Sequence, residues 1–155
     1  MAENKLVKAA LNKAMALCAY HEYCSSEIRS RLSSWGIGND DSEQLISILI
    51  KEKFINDSRF SAAFAKDKFN QNKWGKIKIA AHLRSKNISE ETIQSALGEI
   101  DDESYIKMIR DTINAHRRFV KAKNLYDLKG KLLRFGLSKG FESNLLYDIL
   151  NKTDP

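Results

Sequence analysis

Proline is almost missing from this sequence: the only one is Pro155, the last of 155 residues. Proline breaks helices by removing an amide donor and clashing with the preceding turn. With none before the final position and only seven glycines, little interrupts helix, and strand-promoting runs are scarce. Cysteine is limited to Cys18 and Cys24, too few for a disulfide framework, so the expected compartment is a reducing cytoplasm. No apolar run approaches the ~20 residues that span a bilayer, which excludes a membrane helix. The start, Met1-Ala-Glu-Asn-Lys5, lacks the charged-then-apolar layout of a signal peptide.

The motifs of several enzyme classes are missing too. Gly75-Lys76 and Gly130-Lys131 are followed by Ile77 and Leu132 where a phosphate loop needs Ser or Thr, and the earlier glycine is absent. Gly36-Ile37-Gly38 lacks the third glycine and preceding strand of a dinucleotide site. Cys18, His21 and Cys24 stand at steps of three, but zinc needs a fourth ligand. Cys18 also lies on an apolar stripe, where free cysteine is commonly a small core residue. His82 and His116 have no visible partner, and the scattered carboxylates fit helix caps better than an acid–base pair. We therefore expect no catalysis, no metal and no cofactor.

What is present is helical periodicity. A hydrophobic content of 43% against 30% charge fits a folded chain. Val7, Leu11, Ala14 and Cys18 form one stripe. Ser25 is placed to cap a second helix with Ile28, Leu32 and Trp35 on its inner face, which Gly36 stops before Ile37. Asp40 with Glu43 suits a capping-box start for a third helix burying Leu45, Ile48 and Leu49. Asp57, Ser89 and Asp101 or Asp102 open further helices, with apolar faces at Phe60, Ala63 and Phe64, at Ile93, Ala96 and Leu97, and at Tyr105, Met108, Ile109 and Ile113.

The pattern repeats. A shift of 100 places Ile28 on Leu128, Leu32 on Leu132, Trp35 on Phe135, Gly36 on Gly136 and Ile37 on Leu137. A shift of 51 aligns Ile28, Leu32, Gly36 and Ile37 with Ile79, Leu83, Asn87 and Ile88, the last helix then needing a gap of about three residues. The predicted fold is all-α: three tandem three-helix, helix-turn-helix-like units at 1–57, 58–100 and 101–155, packed in series as an elongated, curved array.

Lys and Arg number 26 against 20 Asp and Glu, for a net charge of +6 and a pI near 9.3. That balance favours an acidic partner, nucleic acid first. The excess is uneven: residues 66–86 hold seven basic residues and one acid, and residues 117–139 hold eight and one. Lys73, Lys76, Lys78, Arg84 and Lys86 surround one short helix and its entry turn, with Arg29 and Arg31 at matching places in the first unit and Lys129 and Lys131 in the third. With Arg117 and Arg118, which open the third-unit window, these are the candidate contact residues for a polyanion. Trp74 either stacks on a base or plugs a join between helices, like Trp35 and Phe135; the plug is favoured. No cluster of Asn, Gln and Arg at a helix start makes a base-reading set, so DNA affinity is expected to be weak and non-specific, toward single or double strands.

The segment Ser25-Ser-Glu-Ile-Arg-Ser-Arg-Leu32 followed by Gly36-Ile37 resembles the first-unit signature of the RecX family, modulators of the RecA recombinase. Arg59-Phe-Ser-Ala-Ala-Phe64, then Trp74-Gly75-Lys76-Ile77 and Leu83, is similar to its central block, and residues 54–60 to its junction between units. The likeness covers residues 14–150. Asn87 replaces the family's usual glycine before Ile88, while Lys78 and Ala81 stand where arginine and glutamate are more usual. The resemblance implies tandem three-helix units lodged in the groove of a RecA–DNA filament. There the protein would modulate, mainly inhibit, filament growth, ATP hydrolysis and strand exchange in recombination, DNA repair and the SOS response. A monomer is expected. Two other readings stay open: an independent DNA-binding protein of helix-turn-helix-like units, and a helical adaptor for an acidic protein.

Overall fold

The computed structural model describes residues 2–152, and every regular element among them is helical. The helices are α1 (Ala2–Tyr20), α2 (Ser25–Ser34), α3 (Asn39–Lys51), α4 (Asp57–Asp67), α5 (Lys76–Ser85), α6 (Glu90–Gly98), α7 (Asp102–Arg117), α8 (Leu125–Ser138) and α9 (Ser143–Lys152). They fall into three groups, α1–α3, α4–α6 and α7–α9, in each of which every helix touches the other two. Helix α4 continues as one π turn, Lys68–Asn72, which ends at Lys73 in the left-handed conformation (φ 57°).

The three groups share one backbone device. After the second helix a left-handed residue turns the chain: Gly36 (φ 85°), Asn87 (φ 60°) and Gly140 (φ 88°). The next residue, Ile37, Ile88 or Phe141, is buried, and its amide donates back to the carbonyl of Leu32, Leu83 or Gly136 at 3.0, 3.2 and 3.1 Å. This is the Schellman closure that glycine or asparagine makes at a helix end.

The shared turn corrects the repeat read from the sequence. The third turn lies at Gly140, not Gly136, so the first unit maps onto the third with a shift of 104 rather than 100. Ile28, Ile79 and Leu132 then correspond, as do Leu45, Ala96 and Ile149, all buried. The gap expected in the middle unit is not needed, since Leu45, Ile46 and Leu49 fall on Ala96, Leu97 and Ile100 with the plain shift of 51. Gly136 misled because it sits inside α8, where the other groups have Leu32 and Leu83. The Leu146 side chain fills that place from α9, and a Cβ on Gly136 would come 2.5 Å from Leu146 Cδ2.

Three caps also differ from expectation. Cys24, not Ser25, caps α2, with its amide donating to Glu27 Oε1 at 3.0 Å. Helix α3 begins after Gly38, ahead of Asp40. Asn56, not Asp57, caps α4 by accepting from the Arg59 amide at 2.9 Å. Ser25 and Asp57 are instead used on each other across the first junction, where the Ser25 amide donates to Asp57 Oδ1 at 2.8 Å. Ser89 and Asp101 cap α6 and α7 as their positions predict.

Among the described residues the buried apolar side chains form two cores. One is built from α1–α3 and centres on Ala14, Ile28, Leu32 and Leu49. The other runs without a break through the second and third groups, from Phe60, Ile79 and Leu83 to Ile109, Leu132, Phe141 and Leu146.

Candidate nucleic-acid interface

The seam between the second and third groups is a backbone-to-backbone dock. The Gly75 amide, at the start of α5, donates to Lys139 O at 2.7 Å, and the Ile77 amide donates to Gly140 O at 3.1 Å. Chains approach this closely only without side chains. A Cβ on Gly75 would strike Gly140 and come 2.6 Å from Phe141 Cδ1, and one on Gly140 would come 2.5 Å from the Lys78 nitrogen. Behind the dock the Lys76 amide donates to Tyr105 Oη at 2.8 Å, and the Tyr105 hydroxyl donates to Glu142. Burial, reinforced by the Glu142 carboxylate, pushes the Tyr105 phenol well above its ordinary range.

Trp74 lies half-buried at the outer edge of this seam, with its ring edge-on to Phe64 at 6.3 Å and tilted against His82 at 4.4 Å. Two ammonium groups stand over the ring, Lys68 Nζ at 5.1 Å and Lys78 Nζ at 4.7 Å. Lys139 Nζ donates to Asn72 O at 2.7 Å, and Lys73 Nζ donates to Asn70 O at 2.8 Å. Partial burial, and then the charge of Lys78, push the Lys139 ammonium below its ordinary pKa. No ion pair is made by Lys68, Lys73, Lys78 or Lys139 among the described residues.

Of the residues singled out from the sequence, Lys73, Trp74 and Lys78 come together here, while Lys76, two residues before Lys78 on α5, lies on the Tyr105 side. Lys76 lies over Tyr105 at 4.9 Å and reaches Asp102 at 4.0 Å. The others are elsewhere or already matched. Arg29 pairs with Glu43 at 2.6 Å, Arg84 clasps Glu90 and Lys86 reaches Glu27 at 2.9 Å. Hydrogen bonds from these bases hold the Glu43 and Glu90 carboxyls below their usual range; for Glu27 they overcome the opposing effect of burial. Arg31 lies over Tyr23 at 5.8 Å. Lys131 is tied to Asp127 at 3.3 Å and to Lys121 O, and Lys129 sits half-buried beside it on α8. Arg117 and exposed Arg118 end α7, where His116 stacks flat on Phe135 at 3.6 Å.

Sequence reasoning missed Lys68 and Lys139. A signal existed for the second: with the third turn set at Gly140, Lys139 occupies the place of Lys86, just before the left-handed residue. Trp74 fills the join, as favoured, while its ring also carries cations. Cys18 flanks the first core and Cys24 is buried in the second, with burial pushing both thiols up. No cluster of three His, Cys, Asp or Glu suited to a metal is found among the described residues, and no helix among them is long and apolar enough to cross a membrane.

These features define, among the described residues, an all-helical protein of three three-helix groups, with Lys68, Lys73, Lys78 and Lys139 making no ion pair beside one seam. Residues 56–97 match the family described as RecX, second three-helix domain. The Thermotoga maritima "Regulatory protein RecX" is 30% identical over 155 residues, covering 97% of this chain and 88% of that protein. The protein of the same name from Lactobacillus johnsonii is 26% identical over 145 residues, covering 94% of this chain, which spans 54% of the relative's length. Among solved structures, RecX from Lactobacillus salivarius superposes with a TM-score of 0.84 at 20% identity, over 96% of this chain and 97% of that one. A second structure, titled regulatory protein RecX, gives 0.88 at 20% identity, over 97% and 74%. At that identity both speak to fold alone. The chain belongs to the RecX family.

Proposed function

We propose that this chain is a non-catalytic regulator that binds RecA–DNA filaments and modulates, mainly by inhibition, their growth, ATP hydrolysis and strand exchange. It acts in the cytoplasm as a monomer of three units, 1–57, 58–100 and 101–155. One observation carries this reading: the stretch that matches the family's second domain, residues 56–97, also holds Lys68, Lys73, Trp74 and Lys78. Unpaired cations around a partly open indole suit a phosphate backbone with its bases, and they do not require base-specific contacts. Such a body regulates by binding one filament state better than another and shifting the population toward it.

The test is ATP hydrolysis by the cognate recombinase on single-stranded DNA, with this protein titrated in. A fall in rate at stoichiometric amounts is expected; an unchanged rate removes the proposal. Tight, sequence-selective duplex binding without recombinase would favour an independent DNA-binding protein instead.

A further inference from the structure

Lys78 and Lys139 belong to different helical groups, yet the backbone holds them side by side. Gly140 lies against the Lys78 backbone, and Lys139 directly precedes it. Lys139 donates to the Asn72 carbonyl, which satisfies a hydrogen bond and neutralises no charge. Other bases at the junctions are answered by an acid: Lys86 has Glu27, Arg59 has Glu22 and, at this same joint, Lys76 reaches Asp102 at 4.0 Å. Here Lys78 and Lys139 have no carboxylate partner among the described residues, and two like charges are carried across the joint. The joint therefore carries positive charge that the chain itself does not neutralise. A lysine ammonium binds phosphate as a compact point charge with rotatable donors, so it can meet a phosphodiester oxygen from several directions. Trp74, beside Lys78, adds a face for the attached sugar or base.

We propose that a nucleic-acid phosphodiester seats between the Lys78 and Lys139 ammonium groups beside Trp74 and ties the start of α5 to the α8–α9 turn, so that nucleic-acid binding and docking of the third group on the second are one coupled event. This rests on the seam being the nucleic-acid face and adds its regulation: bound polyanion stiffens the seam, and a loosened seam loses the polyanion by the same factor.

The experiment uses the full chain carrying Trp35→Phe, which leaves Trp74 as the only indole. A six-phosphate abasic oligophosphodiester, hexathymidylate and pyrophosphate are titrated separately at constant ionic strength, following Trp74 fluorescence and thermal unfolding. Both oligomers are expected to change the fluorescence and to raise Tm by about 4 °C at saturation. Lys78→Gln with Lys139→Gln weakens binding about tenfold and removes the rise, and Lys78→Arg with Lys139→Arg restores both. Lys78→Gln alone, which breaks no hydrogen bond, replaces the pair if the double variant does not fold. A glutamine variant that responds like its parent overturns the proposal, as does oligomer binding without a Tm rise. A response to pyrophosphate alone overturns it in favour of a small-anion site. Co-sedimentation of the unmodified chain with recombinase filaments runs alongside. Filament binding without the Tm rise refutes the coupling and leaves the regulatory role standing.

Discussion

The two junctions of this molecule join similar helical groups by opposite means. Between the first and second groups the joint is made of polar side chains. Ser25 bonds Asp57, Ser26 Oγ donates to Lys86 O at 2.6 Å, Lys86 pairs with Glu27, and Arg59 pairs with Glu22 while donating to the carbonyls of Lys53 and Phe54. One small apolar group, Cys24, crosses into the second core. Between the second and third groups the joint is chiefly main chain on main chain at Gly75 and Gly140, with Tyr105, a long Lys76–Asp102 pair and the Lys139–Asn72 bond beside it and one apolar core running beneath. Apolar burial stabilises roughly in proportion to area and is not subject to charge screening, whereas exposed ion pairs contribute little and are screened. The second and third groups should therefore unfold together, and the first should part from them at lower cost.

The sharpest way to break this comparison is a matched pair of glycine substitutions. Gly36 and Gly140 have nearly the same left-handed backbone, but a Cβ on Gly36 meets nothing within 4 Å whereas one on Gly140 meets the Lys78 backbone. Gly36→Ala is expected to cost about 1 kcal/mol, the conformational penalty alone. Gly140→Ala adds a collision with main chain and is expected to cost about 4 kcal/mol. Urea unfolding followed by circular dichroism measures both, and equal losses would mean that the second joint is no tighter than an open turn.

Next in size is the first joint. Glu27→Gln removes the charge that holds Lys86 while keeping a side-chain oxygen for the Cys24 amide, and is expected to cost about 1 kcal/mol. Native-state hydrogen exchange should show the loss as earlier opening of α1–α3, with the slowest amides of the shared core unchanged. A matching loss in α7–α9 would contradict two separable bodies.

The joints should also fail at opposite ends of the pH scale. Glu27 is the weaker acid when unfolded: burial opposes its charge, but Lys86 and the Cys24 amide lower its folded pKa. Its contribution is present above the unfolded value of 4.5 and is lost as pH falls through the lower folded value. Tyr105 behaves in reverse. Its folded pKa is raised, so its contribution is complete below pH 10.0 and declines as pH climbs beyond it. Acid should alter Trp35 fluorescence before that of Trp74, and alkali should reverse the order; single-tryptophan variants distinguish them.

Much of the fold was legible because its signals are local. Near-absence of proline, apolar residues at helical steps and left-handed turn residues at Gly36 and Asn87 fix helices and two of the three turns. The third turn was misplaced because a glycine can serve a turn or make room for a neighbour, and only the packing of Leu146 against Gly136 tells which. Ser25 and Asp57 read as caps for a similar reason: both are good capping residues, and their pairing across 32 positions has no local trace. The basic windows were visible, but which cations have partners depends on Glu22, Glu27, Glu43 and Glu90 arriving from other turns and helices. The charge count thus marked the stretch that holds Lys68, Lys73 and Lys78 and could not rank its members.

That ranking is the smallest effect and the finest test. Arg84 and Lys78 lie six residues apart on α5, and each adds one positive charge to the same window. Arg84 is clasped by Glu90, so the pair presents little net charge to a phosphate. Arg84→Gln should move stability by less than about 0.5 kcal/mol and leave the salt dependence of DNA binding nearly unchanged. Lys78→Gln should be equally mild on stability, yet reduce the slope of log affinity against log salt by about one, the loss of one phosphate contact. The two variants have the same net charge, so total charge cannot account for a difference between them. Equal slopes would show that DNA senses the overall field of the chain, and that the unmatched lysines at the second joint have no special part in holding it.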